Sequence, residues 1–85
     1  MLQFDGLNEA VIGIFPDTVT QKDRIVYSAN KIIEIFQERD GMTYDGAREM
    51  VDYNYLGAHL GDETPVIVVD CDYETAIEIY GEKDA

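Results

Sequence analysis

Apolar residues fall in separate blocks along the chain, and the spacing inside each block predicts a different element. Ala10-Val11-Ile12-Gly13-Ile14-Phe15 is an unbroken apolar run halted at Pro16-Asp17. Such a run reads as a strand buried on at least one face, with Gly13 marking a bulge or a close neighbour. Residues 17–23 are polar and Thr-rich, a loop, and Arg24-Ile25-Val26-Tyr27 is a second short β-prone segment. The period then changes. Ala29, Ile32, Ile33 and Phe36 recur at helical spacing while Lys31, Glu34, Gln37 and Glu38 fall elsewhere. Ser28 is suited to cap this helix at its N-terminus, and Gly41 to close it.

A second helix is predicted from Tyr44 to about Leu60, with Thr43 as N-cap and Asp45 in the first turn, where the helix dipole favours a carboxylate. Gly46 stands where a full capping box carries Glu. At 100° per residue, Ala47, Met50, Val51, Asn54, Gly57 and Ala58 share one face, and Tyr44, Arg48, Asp52 and Tyr55 an adjacent one. Gly61 closes this helix and Pro65 prevents its resumption. Residues 65–70 lack alternation and read as a fully buried central strand. Tyr73, Ala76, Ile77 and Tyr80 then form an apolar stripe opposite Glu74, Glu78 and Glu82, a short amphipathic helix that Asp72 can cap. The first nine residues are weakly patterned and read as a loose arm or a short turn.

The order is β-β-α-α-β with a short C-terminal helix. This predicts one α+β domain over residues 1–85: a three-stranded, mainly antiparallel sheet with two principal helices on one face. A chain of 85 residues has room for one core and buries only roughly 60–65% of its unfolded surface, so self-association is an expected aid to stability.

The run Arg39-Asp40-Gly41-Met42-Thr43-Tyr44, continued by Ala47, Tyr53-Asn54, Gly57-Ala58, Gly61 and Thr64-Pro65, resembles a widespread group of small, largely uncharacterised proteins. They are encoded in bacteriophage and bacterial genomes and share a core of the form GMTY…A…YN..GA..G..TP. The match spans residues 27–68, and Gly46 departs from the acidic residue usual at its place. The resemblance implies a phage or prophage context and brings no activity or site with it.

Charge narrows the function classes. Eighteen carboxylates against six Lys/Arg give a formal net charge of −12, and from Asp62 onward there are eight carboxylates and one lysine. Nucleic acid and anionic membrane repel such a chain, so neither is an expected direct partner. The acidity serves solubility, or it recognises a basic surface, including one that normally holds DNA or RNA. The longest apolar run, residues 66–69, is too short to span a bilayer, and the first residues lack a secretory signal pattern. Cys71 has no second cysteine to pair with. These features point to the cytoplasm.

Catalytic chemistry finds little support. His59 is the sole histidine; an enzyme or metal module would have to combine it with Asp62, Glu63 or Asp70. One histidine and one cysteine do not make the usual zinc site, and no EF-hand, phosphate loop or nucleophile elbow occurs. No catalytic residue, cofactor or metal is assigned. Cys71 reads as a small filler and Gly57 and Gly61 as packing and turn residues. Asn54, central on an apolar face, is expected to be buried and hydrogen-bonded to backbone, because an unpaired amide there costs roughly 1–3 kcal/mol. Tyr53 and Tyr55 flank it and cannot both face the core. With Tyr44 and the row Glu74, Glu78 and Glu82 they form the candidate interaction surface. The expected protein is therefore non-enzymatic and binds a host or phage protein, inhibiting it in one form by mimicking nucleic acid. A homodimer with an assembly role is the further alternative.

Overall fold

A computed structural model describes residues 2–56 and 60–84, the side chains of residues 82–84 excepted. The fold is α+β. After a 3₁₀ turn at Asn8–Ala10 come β1 (Val11–Asp17), β2 (Lys22–Ser28), α1 (Ala29–Asp40), α2 (Tyr44–Val51), a π-helical turn (Asp52–Leu56), β3 (Val66–Val68) and α3 (Tyr73–Asp84). No helix among the described residues is long and apolar enough to cross a membrane.

The sheet is mixed, in the order β1-β2-β3. β1 and β2 form an antiparallel hairpin whose register slips at Ile12: Val11 faces Tyr27, but Gly13 faces Val26. The bulge thus lies next to the glycine that signals it. The Asp17 carboxylate accepts the N–H groups of Val19 (3.0 Å) and Thr20 (3.3 Å), which folds the hairpin loop into an Asx turn. Pro16 sits within β1, where an edge strand tolerates its missing N–H.

β3 differs from its expected place. It is a short edge strand, parallel to β2, and β2 is the centre. The connection through α1 and α2 returns the chain to the same end of the sheet, which makes β2 and β3 parallel. Ile67 points at the core, while Val66 and Val68 lie on the other face, and Val68 is exposed. The unbroken apolar run therefore reflects one buried face and one apolar open face, with no second layer of helices among the described residues.

One cluster makes the core: Leu7 and Ala10 from the N-terminal segment, Ile25 and Tyr27 from β2, Ala29, Ile32, Ile33 and Phe36 from α1, Ala47 and Val51 from α2. The helix ends follow the sequence closely. Ser28 Oγ accepts the Lys31 N–H (3.1 Å), and Thr43 Oγ1 the Gly46 N–H (3.1 Å). Gly41 adopts φ +66° and donates its N–H to the Phe36 carbonyl.

Of the two readings of the N-terminal segment, the structure shows the turn and not the loose arm. Leu7 has no exposed surface, and the Phe4 N–H donates to the buried Tyr27 Oη (2.9 Å). At Gly6 the backbone turns with φ +76°, and a Cβ there would lie 2.9 Å from Arg39 Nη1, which donates to the Gly6 carbonyl (2.8 Å). Phe4 and Leu7 are single apolar residues in a polar stretch, too few to define an element, so only tertiary contact reveals their role.

The second helix is shorter than its pattern. Its α-form ends at Val51 and continues as the π turn to Leu56. A π turn hydrogen-bonds i to i+5, so each residue rotates the chain through a smaller angle. The faces lag behind the α-helical plot from Asp52 onward. Tyr55 swings onto the core, its ring 4.9 Å from Phe4 in a T-shaped contact and 6.0 Å from Phe36. Asn54 swings out to solvent, where among the described residues its amide donates to Met50 Sδ (2.8 Å). The expected burial of Asn54 is thus overturned, and Tyr55 belongs to the core edge.

Candidate interaction surface

Each helix turns one pair of like-charged carboxylates outward, four residues apart: Glu34 and Glu38 on α1, Asp45 and Glu49 on α2, Glu74 and Glu78 on α3, all exposed. Four residues on one helix lie side by side, so each pair repels by about 0.2–0.5 kcal/mol, where a lysine in the second place would attract. Glu82 continues the α3 row in the backbone; its side chain is outside the described residues. Tyr44 is half-exposed, and Tyr53 is 83% exposed, with nothing of its ring held in the core. Of the expected surface, Tyr44, Tyr53, Glu74 and Glu78 therefore face solvent, and Tyr55 does not.

α3 is attached through a polar joint. Ser28 Oγ, besides capping α1, donates to Asp70 Oδ1 at 2.6 Å, and Asn30 Nδ2 donates to the Asp70 carbonyl at 2.8 Å. The Ser28 hydrogen bond, foremost among several, holds the Asp70 carboxyl below its ordinary value. Two residues on, Asp72 Oδ1 accepts the Thr75 N–H (2.8 Å) and caps α3 as the sequence implied. Its hydrogen bonds to Thr75 likewise lower its pKa. Asp17 is shifted in the same direction, chiefly by the Thr20 N–H.

Between α3 and the α2–π segment runs an open cleft of about 620 Å³, lined by Arg48, Asp52, Leu56, Val69, Cys71, Ala76, Ile79 and Tyr80. Cys71 is exposed in its wall and does not fill the core. Arg48 and Asp52, one helical turn apart, both line it. Leu56, Val69 and Ile79 are its parts that sequence reasoning missed. Ile79 was legible, since at 100° per residue it extends the stripe of Tyr73, Ala76, Ile77 and Tyr80 into a wide apolar arc.

Thr64 organises the turn that leads into β3. Its buried hydroxyl accepts the Leu60 N–H (2.6 Å) and donates to the Gly61 carbonyl (2.7 Å). The Thr64 carbonyl takes Arg24 Nε (2.6 Å). Gly61 has φ +99° in this turn, and Pro65 is buried. Asp62 is exposed on the same turn, while Asp70 is engaged by Ser28 at the sheet end. Gly57 and His59 lie outside the described residues. Among those described, no group of three or more His, Cys, Asp or Glu could hold a metal ion.

Comparison with protein-family models, with curated proteins and with solved structures finds no match to this chain.

Proposed function

We propose that this chain is a non-enzymatic interaction protein, phage- or prophage-encoded, that binds and inhibits a host or phage protein through an acidic, tyrosine-bearing surface. The observation that supports this reading is the repetition of like-charged pairs on all three helices. Solubility alone is served as well by interleaved signs, which stabilise helices instead of straining them. Exposed Tyr53 and Tyr44 add flat contact area with a polar tip, the kind enriched where proteins meet. The complementary partner is a basic protein surface. On α3 the carboxylates at 74, 78 and 82 rise about 6 Å per step, a regular negative row that favours a partner whose own ligand is a nucleic-acid backbone.

The test is affinity capture from bacterial lysate at low and high salt, with the full chain and with Glu74→Lys/Glu78→Lys. A specific partner that is lost at high salt and with the charge-reversed chain supports the reading. A partner retained through high salt argues against charge-led mimicry. Equal capture by both chains removes the acidic row from the account.

A further inference from the structure

The cleft beside α2 is the outer part of a longer groove. Its space of about 620 Å³ continues into a smaller one of about 290 Å³ that reaches the buried side chains of Ala29, Ile33 and Val51. Arg48, Asp52, Leu56, Val69 and Ile79 line both spaces, so the groove runs from solvent down to the core. Its size falls in the range of small-molecule sites, about 300–1,000 Å³.

One wall is a row of residues four apart along α2 and the π turn: Tyr44, Arg48, Asp52 and Leu56. It sets an aromatic ring, a cation, an anion and an aliphatic group in sequence. The two charges are unspent. Arg24 is taken by the Thr64 carbonyl (2.6 Å) and Asp17 (3.8 Å), and Arg39 by the Gly6 carbonyl (2.8 Å) and Asp40 (3.4 Å). Arg48 is the remaining arginine. It has no hydrogen-bond or ion-pair partner among the described residues, and neither has the Asp52 carboxylate. An arginine and an aspartate one turn apart can pair with each other; here both line the groove unpaired. The nearby Asp70 carboxylate is already engaged by Ser28.

We propose that the groove binds a free α-amino acid with an apolar side chain, its carboxylate on Arg48, its ammonium on Asp52 and its side chain among Leu56, Val69 and Ile79. The two charges select this class. A simple anion meets Asp52 and a net charge of −12, and a simple cation meets Arg48. A dipolar head satisfies both groups through charge-assisted hydrogen bonds and adds no net charge. The aliphatic walls and the core floor then take an apolar body out of water. The site does not rest on the proposed partner binding, because Glu74 and Glu78 lie on the opposite side of α3 from Ala76 and Ile79.

The test is an NMR titration of the isotope-labelled full chain with leucine and with phenylalanine. At least one should shift the amides of Arg48, Asp52, Leu56, Val69 and Ile79 saturably, with half-saturation below about 10 mM. The deaminated acid and the decarboxylated amine of the same probe, and glycine, should each bind about tenfold more weakly or less. Arg48→Gln and Asp52→Asn alter exposed side chains, so their spectra should remain those of the folded chain while binding falls about tenfold or more in each. No saturable shift with either amino acid, equal binding of the single-headed analogues, or undiminished binding by both variants overturns the inference.

Discussion

The β2–α1 region and α3 are both built from chain with a helical or extended apolar pattern, yet they are held in opposite ways. Around β2 and α1, apolar residues from the N-terminal segment, two strands and two helices converge. Leu7, Ala10, Tyr27 and Ile32 have no exposed surface. Around α3, a helix of equal length to α1 leaves most of its apolar arc to solvent and is joined by a cap, a serine–aspartate hydrogen bond and one cleft wall. A helix with α3's surface is stable when something covers it. The difference separates the residues that make the fold from those available to a partner.

The largest effect that bears on this contrast is at Leu7. Leu7→Ala should cost about 2–5 kcal/mol in urea denaturation, whereas Tyr73→Ala should stay within about 0.5 kcal/mol in dilute solution. Similar losses at both would erase the distinction. A smaller contrast sharpens the boundary between core and surface. Tyr55→Ala should cost about 3 kcal/mol through its contacts with Phe4 and Phe36, and neighbouring Asn54→Ala no more than about 0.5 kcal/mol. The reverse order would restore the regular α-helix and its buried asparagine.

That pair also shows what the sequence could and could not convey. Ser28, Thr43, Gly41 and Asp72 announce helix ends through local chemistry, and each does so in the structure. The π turn has no such marker, so the face plot fails from Asp52 onward and exchanges Asn54 for Tyr55. Val66–Val68 looks central because its run is apolar throughout, but hydropathy does not distinguish a second buried face from an exposed apolar one. Leu7 is invisible for the opposite reason: a lone apolar residue has no period. On the candidate surface, charge and exposure of Glu74, Glu78, Tyr44 and Tyr53 were legible, while the cleft that α3 makes with Leu56 and Val69 depends on tertiary placement.

The joint itself supplies the smallest effect. Ser28→Ala removes the α1 cap and the first cause of the lowered Asp70 pKa, and should cost about 1 kcal/mol. The sign of its pH dependence is fixed. A carboxyl lowered from the ordinary 3.8 in the folded state contributes stability that is present above 3.8 and lost as pH falls through the folded value. In Ser28→Ala, Asp70 should titrate closer to 3.8 by NMR, and the variant should lose less stability than wild type on acidification. An unchanged Asp70 titration would mean the 2.6 Å hydrogen bond does not hold the carboxylate in solution.

Amide hydrogen exchange resolved along the whole chain, in dilute solution, addresses the division most directly. Protection in β2 and α1 should equal that of global unfolding. Protection in α3 should be far lower. Equal protection of α1 and α3 in dilute solution would contradict the account, for α3 would then belong to the fold and would need no partner to cover it.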